Sequence, residues 1–462
     1  MRRLGSRRTL AALGLALLFA GAPGCRAPEG RSVLLISLDT VRRDHLSVYG
    51  HERPTSPGLE RLAERAVVFE EAITSSTQTS PAHGSFLTGL DPHVHGSERN
   101  GTPMAEGVTT AAELFAGRGF ATAAFVSGYP MRAADSGLDR GFAVYDDAFQ
   151  GPRRRGQETV GRAVAWLAER DPDEPWFLFL HLYDAHGPYL PPPDYPVRFP
   201  PEEPPRPVER LPAYQLLHDR EGRPLLDMNG YIARYDTMIR YQDDLVAWLL
   251  ERLDLEQTAV VVLSDHGETL DERYRILDHG GQAFDEQVRI PLIVAAPGIE
   301  GGRRLPGLVR GVDLMPTLLE LGGVAVPDEV ASGLTGRSLL PRLHGEPGAA
   351  PARRAFSTAY PFDKRHDDRG YELSKDRPIL SLRTGRWKLI SYPGAGGPYL
   401  ELYDLQADPG EEHDLSDDDP ERVERMLPEL EEWYRPRQEF PGPEGLDPDA
   451  REALESLGYV GG

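Results

Sequence analysis

Short apolar runs that stop abruptly at acids and imidazoles constrain this chain more than any other feature. Ser32–Leu38 (SVLLISL), Ala121–Val126 (ATAAFV), Trp176–Leu182 (WFLFLHL), Thr258–Ser264 (TAVVVLS) and Pro291–Ala296 (PLIVAA) are nearly continuous in apolar or β-branched residues. Runs of this kind are strands buried on both faces. Helical patterns lie between them. The clearest is Tyr231–Leu253, where Tyr231, Tyr235, Met238, Ile239, Leu245, Val246, Leu249 and Leu250 approximate one apolar face. The alternation predicts an α/β fold, a mostly parallel central sheet flanked by helices.

The residues that follow the strands carry the chemistry. Asp39 follows the first run, Asp184 and His186 follow Trp176–Leu182, and Asp265 and His266 follow Thr258–Ser264. Ligands of open α/β sheets bind beyond the carboxyl ends of the strands, so these groups are expected to converge on one crevice. Carboxylate and imidazole together suit a divalent cation. The bland alternative is that polar loop residues follow strands by chance.

Further along, Pro188–Pro212 is dense in proline and reads as an extended excursion or a rigid spacer. The composition turns polar around Ala349–Gly370. Ile379–Leu382 and Trp387–Tyr392 then flank Thr384-Gly385 as a hairpin, Leu400–Leu405 adds a strand, and Glu421–Tyr434 reads as an amphipathic helix. The expected organisation is a catalytic α/β domain over residues 25–350 and a smaller α+β region over 351–462.

The N-terminus is Arg-rich, then apolar from Leu10 to Ala22, then Gly24-Cys25. The apolar run is too short to span a bilayer, which takes about twenty residues, and reads as an export signal over residues 1–24. Cys25 is the only cysteine. An intrachain disulfide and a cysteine zinc cluster are thereby excluded, and Cys25 reads as the lipid anchor of a cell-envelope or periplasmic lipoprotein. A soluble secreted protein with an incidental cysteine is the alternative. The formal net charge of −22 speaks against a nucleic-acid partner.

The segment Thr79-Ser80-Pro81-Ala82-His83-Gly84-Ser85-Phe86-Leu87-Thr88-Gly89 resembles the signature of the sulfatase family, within the alkaline phosphatase superfamily. The resemblance continues through "VLLISLDTVRRDHLSVYG", "DPHVHG", "HLYDAHGPYLPP", "VVVLSDHGETL", "DHGG" from Asp278, "RIPLIV" and "LYDLQADPGEEHDL". It implies a metal-dependent hydrolase of phosphate or sulfate esters on a small-molecule, glycan or lipid substrate. Asp39, Thr79, Asp265 and His266 resemble the one-cation site of the threonine-nucleophile branch, with Mn, Zn, Ca or Mg as the ion. Two cations are the alternative, with Asp184, His186 and His279 holding the second. His279 and His186 resemble positions that touch the ester or protonate the leaving group. Pro81 suits the first turn of a helix, with Thr79 just before it, and free amides there would help hold an oxyanion. Thr79 as a simple helix cap is the alternative.

The departures from the family pattern select among reactions. Sulfatases proper convert a Cys or Ser at the nucleophile position to formylglycine, and here that position is Thr79. A threonine ester cannot eliminate sulfate as a hydrated aldehyde can, which favours phosphate or phosphodiester substrates. The usual second Asp is Thr40, the motif Arg is His83, retained as a site residue, and no Lys lies near Gly128. His95 and Asn100 have family counterparts without an evident role. Arg383 and Lys388 are expected to be surface charges. A transferase acting on an envelope lipid or glycan, and a non-catalytic surface protein that keeps the fold, are the competing functions.

Overall fold

The computed structural model of the protein describes residues 30–208, 211–218, 221–273, 276–361, 365–366, 370–435 and 448–456. Residues 1–24, expected as an export signal, and Cys25 lie outside the described residues. The predicted strands appear as β1 (Ser32–Leu38), β3 (Ala121–Phe125), β5 (Trp176–Leu182), β6 (Thr258–Leu263) and β7 (Arg289–Ala295). Three strands not expected from sequence join them, β2 (Val67–Ile73), β4 (Val144–Asp146) and β8 (Arg303–Arg310). The eight form one sheet in the order β4-β3-β5-β1-β6-β7-β2-β8. Only β7 runs against its neighbours β6 and β2.

Side chains alternate across the sheet, and both faces are covered. Leu34, Ile36 and Leu38 of β1 pack with Tyr235, Met238 and Val246 of helix Met228–Leu250. Val33 and Leu35 point the other way, into a core with Phe86, Phe115 and Leu318. Burying each such side chain contributes about 1.5–3 kcal/mol, so the periodicity of two fixes which face each residue takes. The Pro-rich excursion packs on the same long helix rather than standing off as a spacer: the Arg198 amide donates to Thr237 Oγ1 at 3.0 Å, and the Tyr195 hydroxyl donates to Asp244 at 2.7 Å.

Register places the chemistry. β1 lies between β5 and β6, parallel to both, with Leu38 opposite Leu182 and Ser37 opposite Leu263. The chain therefore leaves three neighbouring strands at one level, carrying Asp39, Asp184 and Asp265 out together.

The chain closes with an antiparallel sheet, β14-β13-β12-β9, built from β9 (Ala355–Ala359), β12 (Ile379–Arg383), β13 (Trp387–Tyr392) and β14 (Tyr399–Asp404). Between β9 and β12 lies a small ribbon of β10 (Arg365–His366) and β11 (Tyr371–Glu372). Helix Pro420–Trp433 covers one face through Val423, Met426 and Leu430. On the other face Ile73 and Leu308 of the large sheet share a core with Ala355 and Ile390. Arg383 and Lys388 are not surface charges. Lys388 is 0% exposed and donates to Asp285 at 3.0 Å, and Arg383 donates to the same carboxylate. Lys388 Nζ also lies 2.9 Å from Glu411. Asp285, just before β7, is the residue that turns both cations inward.

Candidate active site

Asp39, Asp265 and His266 come together beyond β1 and β6, each fully buried, with one donor atom from each lying within 4.8 Å of the others. Hydrogen bonds fix what each side chain presents. Asp265 Oδ1 accepts from the Thr40 amide (3.1 Å) and from the His266 amide (2.9 Å), which leaves Oδ2 with no partner. Thr40 takes a left-handed φ of 57° to deliver that amide. Asp39 Oδ2 faces His181 Nε2 at 2.9 Å, and Oδ1 is unmatched. His266 Nδ1 lies 2.9 Å from the Gly267 carbonyl, so it carries the proton, and Nε2 presents a lone pair without a partner.

Three buried acceptor atoms left unmatched at one point are costly unless a ligand satisfies them. Two are carboxylate oxygens and one is an imidazole nitrogen, the donor set of a divalent cation. Electrostatics agree. Burial pushes the Asp39 carboxyl well above the usual range, and the charge of Asp265 beside it adds to the effect. Burial likewise lowers His83, His181 and His266, so the imidazoles bring no positive charge at neutral pH. Among the described residues no Lys or Arg bonds either carboxylate. A cation is the missing counter-charge.

Thr79 reaches this group, since its hydroxyl hydrogen-bonds the Asp39 carboxylate. The helix spans Thr79–Thr88, so Thr79 is its first residue and Pro81 its third, two places later than expected. The amides are also more occupied than expected. Ser80 N–H donates to Asn100 Oδ1 at 2.9 Å, Ala82 N–H donates to the Gln78 carbonyl at 3.1 Å, and Pro81 has none. Asn100 thus gains a physical role: it holds the first turn that carries Thr79. His95 gains one too, because its ring packs against the Cα of Gly84 and leaves no room for a Cβ there.

The remaining histidines separate into two kinds. His83 Nδ1 lies 2.7 Å from the Thr79 carbonyl and Nε2 lies 2.8 Å from Ser37 Oγ. Both ring nitrogens are engaged, so His83 ties helix Thr79–Thr88 to β1. His266, His279 and His186 form a row, with ring centroids 4.6 and 4.8 Å apart. His186 also stacks on Tyr183 at 4.2 Å and has Nδ1 2.8 Å from the Gly187 carbonyl. Burial, then the neighbouring His279, pushes His186 well below the ordinary imidazole range. His279 Nδ1 lies 3.2 Å from Glu268 Oε2. Burial lowers His279 to about 4 and raises Glu268 to about 8.

Asp184 does not join them. Its oxygens accept from the Gly156 amide at 3.0 and 3.2 Å, at the start of helix Gly156–Ala168, and burial raises it to about 6. Among the described residues no ligand group combines Asp184, His186 and His279, whereas donor atoms of His83, His181 and Asp265 also lie within 4.8 Å of one another. Sequence reading missed His181 and Glu268. His181 is the single polar residue inside the apolar run WFLFLHL, and that interruption was the available signal.

Comparison with known proteins agrees with the geometry. The family model described as "Sulfatase" matches residues 31–324, and "N-sulphoglucosamine sulphohydrolase, C-terminal" matches residues 276–434. The chain belongs to the sulfatase family, whose enzymes are metal-dependent, and it is a sulfatase-like ester hydrolase. It is 27% identical to the Delta 4,5-hexuronate-2-O-sulfatase of Bacteroides thetaiotaomicron over 88% of both chains. It is 25% identical to the multifunctional alkaline phosphatase superfamily protein PehA of Trinickia caryophylli, over 84% of this chain and 91% of that one. Its fold matches the crystal structure of the phosphonate monoester hydrolase of Agrobacterium radiobacter with a TM-score of 0.66 at 22% identity, covering 87% of this chain and 95% of that one.

Proposed function

We propose that this protein hydrolyses phosphoester or phosphonate-ester bonds, in preference to sulfate esters, through a covalent ester on Thr79. The observation that carries the reading is the Thr79 hydroxyl bonded to the buried Asp39 carboxylate beside the unmatched acceptor atoms of Asp265 and His266. Asp39, Asp265 and His266 would hold the cation, with Thr79 adjoining it. A bound divalent cation would supply charge neutralisation at the attacked group and favour the alkoxide of a hydroxyl beside it.

The chain's own residues do the rest. Asn100 and His83 fix the first turn of the helix, so the Thr79 oxygen is aimed before substrate arrives. The Thr79 hydroxyl gives up its proton to solvent as its oxygen attacks phosphorus; the Thr79 O–P bond forms, the bond from phosphorus to the alcohol oxygen breaks, and that oxygen takes a proton. The Glu268–His279 pair is the donor. Glu268 keeps a proton at neutral pH, and its contact with Nδ1 lets His279 present an N–H from Nε2 to the leaving oxygen. His186 spends its Nδ1 proton on the Gly187 carbonyl and is not the acid. Water then attacks the phosphothreonine at phosphorus, releases phosphate or phosphonate, and returns the proton to Thr79. The absence of a second cysteine and the presence of Thr79 leave formylglycine without a precursor, which is why sulfate is the slower substrate.

The test is a panel of nitrophenyl phosphate, phosphodiester, phosphonate ester and sulfate substrates, each with Mn, Zn, Mg, Ca or a chelator. The expected result is cation-dependent cleavage of the phosphorus esters well ahead of sulfate. Sulfate as the best substrate would overturn the choice of chemistry. His279→Gln should slow esters of poor leaving groups more than the nitrophenyl esters. We also propose export and anchoring through Cys25. Intact mass of the membrane fraction should show a diacylated chain beginning at Cys25, and an unacylated chain starting elsewhere would contradict it.

A further inference from the structure

A second group of ligand-type side chains lies outside the catalytic site. His45, which follows β1, and His51, before helix Pro57–Ala63, converge on Asp236 in the middle of helix Met228–Leu250. His45 Nδ1 lies 2.7 Å from Asp236 Oδ1, and His51 Nε2 lies 3.4 Å from Oδ2. The two rings are 4.8 Å apart at centroids. Exposure of the side chains runs from 0% at Asp236 through 12% at His45 to 20% at His51. The carboxylate is shielded by protein while the imidazoles border solvent, so an ion has a route in.

We infer that His45, His51 and Asp236 form a second cation site, built for a zinc-like ion, that staples the loop after β1 to helix Met228–Leu250. Two imidazole nitrogens and one carboxylate oxygen select a borderline cation over calcium or magnesium, which take mostly oxygen ligands. The metal replaces the imidazole protons that otherwise face Asp236, and those protons leave to solvent. Arg53 Nη1 sits 2.8 Å from Asp236 Oδ2 and is the one competitor for this carboxylate. Arg53 and His51 both face Oδ2 while His45 faces Oδ1, so the ion would take Oδ1 and leave Oδ2 to the guanidinium, with His51 turning from Oδ2 to the ion. Arg53 then acts as an outer partner that orients the ligand. Its other nitrogen donates to the Pro200 carbonyl at 3.2 Å, which ties the Pro-rich excursion to the same point.

The site stands apart from the catalytic reading, and its test does not require activity. The full chain, as wild type and as the Asp39→Asn/Asp265→Asn variant that disables the catalytic cation group, is loaded with zinc chloride, desalted and assayed for bound metal. Each is compared with its His51→Ala counterpart. His51 is the most exposed ligand, and its removal leaves the His45–Asp236 pair in place. The expected result is about one zinc on the double variant, falling to about none with His51→Ala. In the wild-type background the count should fall from about two to about one, which keeps the test valid if the double variant does not fold. Cobalt loading of the double variant should give a visible absorption band of a low-coordinate nitrogen–oxygen site. A metal count that His51→Ala leaves unchanged in both backgrounds would overturn the proposal and leave an ion-free His–Asp–Arg staple.

Discussion

Two buried charge clusters sit in this molecule, and they are handled in opposite ways. At the end of β12 and β13 the acids Asp285 and Glu411 face the cations Arg383 and Lys388 at 2.9–3.1 Å. Burial alone would push the Asp285 carboxyl up, but Arg383 and Lys388 beside it hold it well below the usual range. Beyond β1 and β6, Asp39 and Asp265 have no cationic side chain bonded to them among the described residues, and acceptor atoms stay unmatched. The first cluster pairs its acids with cations, although Arg383 Nη1 and Glu411 Oε1 make no aligned hydrogen bond, and it fastens the C-terminal sheet to the chain before β7. The second is complete only with a cation. Burial of charge is therefore no guide to function by itself; the absence of a cationic side chain beside buried carboxylates is.

The contrast can be broken by substitution. Thr79→Ala should lower kcat/KM for a phosphorus ester by about a thousandfold or more while leaving cation binding in place. Residual activity within about tenfold of wild type would remove the nucleophile from the account. Asp265→Asn should abolish retention of the catalytic cation and, with it, most activity. In metal-free protein the same change should raise the melting temperature, because it removes one of two repelling buried carboxylates. Lys388→Met should do the reverse. It leaves Asp285 and Glu411 short of a counter-charge at a cost of about 3–5 kcal/mol, read by urea unfolding, with turnover per folded molecule near wild type.

The smallest expected effect is the pH dependence of cation stabilisation. The folded-state pKa of Asp39 is raised, so its favourable contribution to the metal-free fold is fully present below the unfolded carboxylate value. It is lost as pH rises through the raised one. A cation binds the ionised pair, so the rise in melting temperature on adding metal should grow as pH rises from the ordinary carboxylate value through the raised one. A shift that is flat or shrinks over that span would place the cation elsewhere.

Much of this was legible in the sequence where burial is continuous. β1, β5 and β6 lie within a residue of their apolar runs, and the ligands follow directly because strands of a parallel sheet end at one level. β2 and β8 were not legible. Glu70 and Glu71 interrupt the first, and Pro306 and Gly307 interrupt the second, which is an edge strand with alternate residues in solvent. Lys388 and Arg383 alternate with apolar residues in a hairpin, the pattern of a solvated face. Asp285 and Glu411, the acids that bury them, come from other parts of the chain, and no local pattern announces that pairing. The same limit hid Glu268 behind His279 and the contact of His83 with Ser37 inside β1.

The central claim is that the hydroxyl of Thr79 becomes esterified during turnover. Acid-quenched enzyme, taken during steady-state cleavage of a nitrophenyl phosphonate and digested for mass spectrometry, tests it most directly. The account predicts a phosphonyl adduct on the peptide containing Thr79, absent from Thr79→Ala. An adduct on another side chain, or turnover by Thr79→Ala at the wild-type rate, would contradict it.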